Sequence, residues 1–216
     1  MNLIVSWQER LRSAVGAGLG IGVTGLSGWW LSGQLAEGLP WLIAPMGASA
    51  LLVFTISASP LAQPWAVVGG NTLSALVGLV CVSVLGVSLW TMALAVALAI
   101  GVMFATRSLH PPGAATALLM VLSPWGHPMC VLALVFFNAL VLVLVGWAYN
   151  NLTGKSYPHH AHVELLSEHT LRHELELVLK KHNDVLDISL DDLEVLIEEA
   201  VALKAASDAK AGIIPA

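Results

Sequence analysis

Two short stretches of the sequence combine proline with glycine and small residues, a pattern suited to exposing backbone amides at the start of a helix. They are residues 45–48 (Pro-Met-Gly-Ala) and residues 111–114 (Pro-Pro-Gly-Ala). Proline is favoured in the first helical turn, whose amide groups have no partner inside the helix. These amides and the positive end of the helix dipole attract anions. The two stretches therefore predict helix N-termini that could hold a small anion.

The candidate anion-binding groups are backbone amides at each helix start and the residues one turn in. They are Met46, Gly47, Ala48 and Ser49 in the first stretch, and Gly113, Ala114, Ala115 and Thr116 in the second. The glycines lack side-chain bulk where a ligand would approach the backbone. The alternative, that both helix starts only cap against neighbouring helices, stays open at this point.

Four further polar side chains lie close to these stretches in sequence or at a matching position after them. Arg107 could attract or gate an anion, or could simply extend its charge to water. His110 could donate a hydrogen bond or titrate near neutral pH. Asn71 and Asn138 could line a pathway or form hydrogen bonds between helices.

The composition indicates that these residues are held in a membrane. Hydrophobic residues make up 57% of the 216 residues, the mean hydropathy is +0.81, and only 11% of residues are charged. Between Ser13 and Gly154 the formal charges are Glu37 and Arg107 alone. Because a charge at membrane depth is costly, such a stretch is typical of an integral membrane protein. We expect residues 13–154 to form a transmembrane domain.

The remaining charges lie outside this domain and predict its orientation. Arg10 and Arg12 precede it and Lys155 follows it, which places both ends on the cytoplasmic side of an inner or plasma membrane. We therefore expect a cytoplasmic N-terminal segment over residues 1–12 and a cytoplasmic tail over residues 155–216.

We expect an all-α membrane protein of about six transmembrane segments. Apolar runs, many bounded by tryptophan, lie at about 13–33, 41–58, 64–86, 89–106, 110–123 and 128–149. The helical parts of the second and fifth segments should begin at their prolines, giving about 45–58 and 111–123. At about 1.5 Å per residue each reaches only ~20 Å, short of the ~30 Å hydrocarbon core. These two segments are therefore predicted half-helices.

The first segment is rich in glycine. Pairs spaced by four, Gly16/Gly20 and Gly18/Gly22, predict close approach of a neighbouring helix. A flexible pore-lining helix is the functional alternative.

The half-helix stretches belong to a predicted internal repeat. Residues 45–52 match 111–118, residues 59–64 match 123–128, and Asn71 corresponds to Asn138, at offsets of 66, 64 and 67. The repeats would span about 13–86 and 89–149. If the half-helix segments cross fully, three crossings per repeat make the pair inverted; if they re-enter, the repeats are parallel. We favour the inverted pair.

Residues 107–117 (Arg-Ser-Leu-His-Pro-Pro-Gly-Ala-Ala-Thr-Ala) resemble the HPP family of integral membrane proteins, named for the His-Pro-Pro triplet. The resemblance covers about residues 10–152 and includes residues 44–48. Plant chloroplast and cyanobacterial members are associated with nitrite transport. The resemblance therefore implies a transporter or channel for a small anion such as nitrite.

Two other classes of function stay open: an intramembrane enzyme using His110, and a non-transporting sensor acting through the tail. The sequence contains no HExxH motif, no G-x-S-x-G motif and no intramembrane aspartate pair, so we expect no enzyme. The expected partners are the lipid bilayer and a small anion, with no nucleic acid and no cofactor. A homo-oligomer is compatible with the sequence.

The tail differs sharply from the core. From Ser156 onward it carries 12 acidic and 5 basic residues and six of the eight histidines. His169 and His173 are spaced i, i+4, which can bind a metal; we favour a solvated helical face and expect no metal site. Helices are predicted at about 163–182 and 190–207.

Overall fold

The computed structural model of the chain describes residues 6–123 and 126–159, together with residues 193, 195 and 197. Every regular element among these residues is helical, which confirms the predicted all-α class. The α-helices are α1 (Trp7–Leu35), α2 (Pro45–Thr55), α3 (Pro64–Leu85), α4 (Leu89–Ala105), α5 (Pro111–Leu122) and α6 (Pro128–Leu152). A short 3-10 helix over Pro60–Ala62 connects α2 to α3.

The chain divides into two compact units, residues 1–159 and residues 160–216. In the second unit residues 193, 195 and 197 are helical, within the predicted helix at 190–207. The predicted helix at 163–182 and the His169–His173 pair lie outside the described residues.

Each α-helix begins either after a capping serine or at a proline. The Ser6 hydroxyl accepts a hydrogen bond from the Glu9 amide at 3.2 Å at the start of α1, and the Ser88 hydroxyl does the same for the Thr91 amide at the start of α4. The other four α-helices begin with proline, whose fixed φ suits the first helical turn.

Two of these helices are too short to cross a membrane. α2 has 11 residues and α5 has 12, about 17 Å each at ~1.5 Å per residue. The prediction of two short proline-started helices is confirmed. α2 ends three residues earlier than predicted, and α5 ends one residue earlier. By length and composition, α1, α3 and α6 could each cross a membrane, while α4 is 17 residues long.

α1 and α6 pack side by side in opposite directions. The Arg12 guanidinium, near the start of α1, donates to the amide oxygen of Asn150, near the end of α6, at 2.9 Å. Gly28, later in α1, lies against Asn138, about three turns earlier in α6.

α2 then runs back along α1. The carbonyl of Phe54, near the end of α2, accepts a hydrogen bond from Arg12 at 2.8 Å. The carbonyl of Trp41, just before α2, lies instead at Gly28, so closely that a side-chain carbon there would collide with it. The chain therefore returns to the end of the bundle at which it began.

The remaining helices continue this alternation. α3 and α5 run in the same direction, since Gly70 packs against Gly113 and Gly78 packs against Ala117. α4 lies between them in sequence and runs oppositely to α3, because the Trp65 indole near the start of α3 donates to the Thr106 carbonyl just beyond α4 at 3.0 Å.

Small residues on one face of α1 allow its close packing. A side-chain carbon on Gly16 would lie 2.5 Å from Tyr149, and one on Gly20 would lie 2.5 Å from Phe54. The prediction of tight packing is therefore confirmed for the Gly16/Gly20 pair. It is wrong for the Gly18/Gly22 pair within this chain, since no neighbouring element among the described residues comes within 4 Å of a side-chain carbon built at either position. These two glycines lie on the outer face of α1.

Arg12 holds the C-terminal end of α2 in place. Besides Phe54, its guanidinium binds Asn150 and forms an ion pair with Glu9 at 2.7 Å. Asn150 in turn donates to the Val53 carbonyl at 2.9 Å. The last carbonyls of α2, which have no partner within the helix, are thus satisfied by α1 and α6. The sequence pattern had indicated only an orienting charge at Arg12.

The residues after α6 anchor the connection between α2 and α3. The buried Tyr157 hydroxyl donates to the Ala62 carbonyl at 2.9 Å, and burial raises the pKa of this phenol, which keeps it a donor. The His159 amide donates to the Gln63 side chain at 2.9 Å. The start of α3 therefore lies beside the end of α6.

Candidate functional site

The N-terminal turns of α2 and α5 lie side by side rather than meeting end to end. The hydroxyl of Ser49, one turn into α2, is 2.8 Å from Nε2 of His110, the residue just before α5. The two helices run in opposite directions, so their N-terminal turns pass each other at this point. The structure therefore brings together the two stretches that the sequence singled out.

His110 is fully buried, and both of its ring nitrogens have partners. Nδ1 is 2.8 Å from the carbonyl oxygen of Leu61 in the 3-10 helix. Because a carbonyl only accepts, Nδ1 carries the hydrogen. In the neutral ring Nε2 is then an acceptor, and the Ser49 hydroxyl donates to it.

Asn71 connects this pair to α5. Its amide nitrogen donates to the Ser49 hydroxyl oxygen at 3.2 Å and to the Val67 carbonyl at 2.9 Å. Its amide oxygen accepts a hydrogen bond from the Thr116 hydroxyl at 2.8 Å. We call Ser49, Asn71, His110 and Thr116 the polar network. All four side chains are fully buried.

The polar network links both short helices to α3. It contains one side chain each from α2, α3 and α5 and one from the α4–α5 connection. Buried polar groups are costly unless they are hydrogen-bonded, and here each has a partner. The arrangement can hold the two short helices in a fixed register and can also pass a proton between Ser49 and His110.

The helix starts themselves are less open than the sequence suggested. The amides of Met46 and Gly47 donate to the carbonyls of Ile43 and Ala44 at 3.0 and 3.1 Å. The Gly113 amide donates to the His110 carbonyl at 2.8 Å. The expectation that these three amides are free donors is therefore wrong in this conformation, because a tight turn precedes each helix and places a carbonyl three residues back.

The two helix starts also differ in the space around them. Gly47 and Ala48 are exposed, and nothing among the described residues lies within 4 Å of a side-chain carbon built on Gly47. Gly113 is buried, and a carbon built there would lie 2.8 Å from the Gly70 carbonyl and 2.9 Å from the Ser74 hydroxyl. The α2 start is therefore open, whereas the α5 start is packed against α3.

The other residues predicted around the helix starts differ in burial and do not follow this division. Met46 is buried, Ala114 is half-buried and Ala115 is exposed. Arg107 is exposed and adopts a left-handed backbone conformation with φ of 55°. It lies three residues before His110 and outside the polar network.

Asn138 does not join Asn71. Its amide nitrogen is 3.4 Å from the Trp41 carbonyl, and its side chain lies against Gly28. Its amide oxygen has no hydrogen-bond partner within the part of the chain that the structure describes. The two asparagines, equivalent in the predicted repeat, thus have different surroundings.

Sequence reasoning did not identify two groups of the site. The Leu61 carbonyl orients His110, and a backbone carbonyl in an apolar segment leaves no signal in residue types. Ser74 places a buried hydroxyl near Gly113. The sequence pattern that could have identified Ser74 is a hydroxyl residue one helical turn after Asn71.

Comparison with known proteins agrees with this architecture. The family description "HPP, transmembrane region" matches residues 3–158. Two transmembrane proteins of Dictyostelium discoideum are similar to the chain. One is 40% identical over 129 residues, covering 54% of this chain and 44% of the relative. The other is 39% identical over 126 residues, covering 55% and 40%.

The chain spans less than half the length of these curated relatives. No solved structure matches it at a significant level. The family match covers most of the 216 residues and includes all four residues of the polar network. The chain therefore belongs to the HPP family of transmembrane proteins.

Proposed function

We propose that this protein is a membrane transporter or channel for a small anion, with nitrite the best single candidate. The observation that carries the proposal is the pairing of two short helices, α2 and α5, whose N-terminal turns lie side by side at the polar network. Helix N-termini inside a membrane protein are suited to anionic substrates. The choice of nitrite rests on the association of other HPP family members with nitrite transport.

The order and direction of the helices support a transporter built from two inverted repeats. In each half of the core a shorter helix lies between two longer ones: α2 lies between α1 and α3, and α5, with 12 residues, lies between α4, with 17 residues, and α6. Because neighbouring helices alternate in direction, the second half runs opposite to the first, as expected for inverted repeats that cross the membrane three times each.

In this proposal the anion binds first at the open side of α2, beside Gly47 and Ala48. The packed start of α5 at Gly113 would become available only if α3 and α5 separated there. The described conformation would then be one of at least two, with the α5 start closed. Asn138 would contribute at the entrance to α2, where its amide oxygen has no hydrogen-bond partner among the residues that the structure describes.

Arg107 would steer the anion toward the site. It is one of two formal charges between residues 13 and 154, it is exposed, and it lies three residues before His110. An exposed cation near a pathway raises the local anion concentration, and salt screens this effect.

The geometry favours transport over the alternative of an intramembrane enzyme. Ser49 and His110 are at the distance of a nucleophile and its base. However, Ser49 is fully buried and also accepts a hydrogen bond from Asn71. Nδ1 of His110 faces a carbonyl instead of a carboxylate. This pair is therefore better suited to linking helices.

Uptake of nitrite into proteoliposomes tests the proposal. We expect uptake above that of protein-free vesicles. Arg107→Asn, which suits the left-handed backbone, should lower the initial rate by up to roughly tenfold at low salt and less at high salt. Arg107→Lys, the matched control, should stay near wild type because steering depends on charge. Wild-type uptake equal to that of protein-free vesicles would remove nitrite as the substrate.

A further inference from the structure

We propose that His110 and Ser49 form a proton-binding site, and that the protein moves one proton together with one monovalent anion. This inference rests on the proposed function and adds to it the ion that is coupled to the substrate. It is carried by the hydrogen bonds of the polar network, which accommodate His110 in both of its protonation states.

In the neutral state the Ser49 hydroxyl donates to Nε2 of His110 across 2.8 Å. In the protonated state Nε2 carries a hydrogen and donates to the Ser49 oxygen. The hydroxyl then turns to the Pro45 carbonyl, which lies 3.3 Å away on the preceding turn of α2. A rotation of one hydroxyl group is the only rearrangement that this change requires.

The other hydrogen bonds of the network are the same in both states. Nδ1 of His110 donates to the Leu61 carbonyl whether or not Nε2 is protonated. The Asn71 amide donates to the Ser49 oxygen, which can accept two hydrogen bonds. A proton can therefore be bound without leaving a buried polar group unsatisfied.

No described charged side chain is placed to balance the charge of a protonated His110. The elements packed on it contribute Ser49 from α2, Leu61 from the 3-10 helix, and Gly70 and Asn71 from α3. Tyr157, whose hydroxyl donates to the Ala62 carbonyl one residue after Leu61, stays neutral because burial raises its pKa.

The charged residues of the core lie elsewhere. The exposed Arg107 is a cation on the chain before His110, and Glu37 lies in the connection between α1 and α2. Arg12, Glu9 and Lys155 form their ion pairs at the ends of α1 and α6.

An anion bound beside Ala48 would supply the missing counter-charge. Ala48 is exposed and directly precedes the buried Ser49 in the chain. A lone charge away from water is unfavourable, whereas a cation and an anion stabilise each other. Binding of either ion should therefore favour binding of the other, as linkage requires. The loaded site is neutral, which makes transport electroneutral.

Initial nitrite uptake by the 216-residue chain in proteoliposomes tests this coupling. One condition imposes an inward proton gradient without a membrane potential, and the other imposes a potassium–valinomycin potential without a proton gradient. Protein-free vesicles provide the leak of nitrous acid through lipid, which is subtracted. We expect the proton gradient to raise protein-dependent uptake several-fold and the potential to leave it unchanged.

Two variants and two matched controls locate the proton. His110→Asn keeps a donor for the Leu61 carbonyl and cannot be protonated, so stimulation by the proton gradient should disappear. The control His127→Asn changes an exposed histidine at the start of α6 and should keep the stimulation.

Ser49→Ala removes the acceptor for the protonated ring. Hydrogen bonds to a charged group are the stronger ones, so the protonated state loses more, and half-maximal uptake should move to lower pH. The control Ser83→Ala removes an exposed hydroxyl bonded to its own helix and should leave the pH profile unchanged.

The outcomes separate this inference from the proposed function. Uptake that changes with the membrane potential but not with the proton gradient would overturn proton coupling. The proposal of anion transport would be unaffected. Absence of protein-dependent uptake under every condition would overturn anion transport itself. Should His110→Asn fail to fold, an unchanged pH profile in Ser49→Ala would still overturn the inference.

Discussion

At the scale of single residues, the site depends on hydrogen-bond direction. Thr116 donates to the Asn71 oxygen, Asn71 donates to Ser49, and Ser49 donates to His110. Each side chain therefore fixes the orientation of the next, and the amide of Asn71 cannot turn over without losing partners at both ends. Removal of the Thr116 hydroxyl should leave the buried Asn71 oxygen without its donor, and removal of the Ser49 hydroxyl should leave Nε2 of His110 without its partner. Either loss costs more than the hydrogen bond itself is worth.

Thr116→Val tests this at constant volume. Without its hydroxyl, the buried oxygen of Asn71 loses its donor, and we expect a loss of about 1–3 kcal/mol in the free energy of unfolding. The control is Thr72→Val, because the buried Thr72 hydroxyl has no partner among the described residues and its removal should be neutral or stabilising. Thermal unfolding of both variants in detergent gives the comparison. Equal melting temperatures for Thr116→Val and Thr72→Val would contradict the stabilising hydrogen bond from Thr116 to Asn71.

At the scale of elements, α2 is held at both ends by α1. Arg12 caps its last turn through the Phe54 carbonyl, and the stretch before it crosses α1 at Gly28. A helix of 11 residues is marginal on its own, so these contacts decide whether it forms and where it lies. The contacts with α1 therefore fix the position of the N-terminal turn of α2, in which Gly47 and Ala48 are exposed.

Gly28→Ala should disturb that support. The added carbon would collide with the Trp41 carbonyl, and such overpacking typically costs about 1–3 kcal/mol. Gly22→Ala on the same helix is the control, because its position is open and alanine is the better helix former by up to roughly 1 kcal/mol. Melting temperatures should fall for Gly28→Ala and hold or rise for Gly22→Ala. Similar losses in both variants would mean that the α1 crossing is not the tight contact described.

At the scale of the whole molecule, the alternating directions of the helices determine which connections share an end of the bundle. The start of α1 and the end of α6 lie together at Arg12 and Asn150. The connections that follow α1 and α5 must then lie at the opposite end. This arrangement, together with the basic residues near both ends of the core, predicts that both ends are cytoplasmic.

Labelling of single cysteines by a membrane-impermeant maleimide tests this orientation. In a background with Cys81 and Cys130 replaced by alanine, Glu37→Cys should be labelled from outside intact cells. Ser156→Cys should be labelled only in inside-out vesicles. Both positions are exposed. Labelling of both from one side would contradict the alternating arrangement, and reversed labelling would contradict the orientation alone.

Much of the helical architecture could be predicted from the sequence, because it depends on local chemistry. Proline at Pro45, Pro64, Pro111 and Pro128 marked four helix starts to the residue, since its fixed φ and missing amide suit the first turn. The near absence of charge between residues 13 and 154, where Glu37 and Arg107 alone are charged, defined the apolar core. The Gly18/Gly22 pair was misjudged because spacing along a helix does not say which face meets a neighbour.

The sequence by itself determined the short helices, the apolar core and the residue types available at the site. Only the tertiary structure decided that Ser49, Asn71, His110 and Thr116 meet, whereas Asn138 and Arg107 do not. It also decided that the α2 start is open and the α5 start is packed. The reason is physical: hydrogen bonds and packing between distant segments depend on how helices cross, and crossing is set by many weak contacts that no local pattern records.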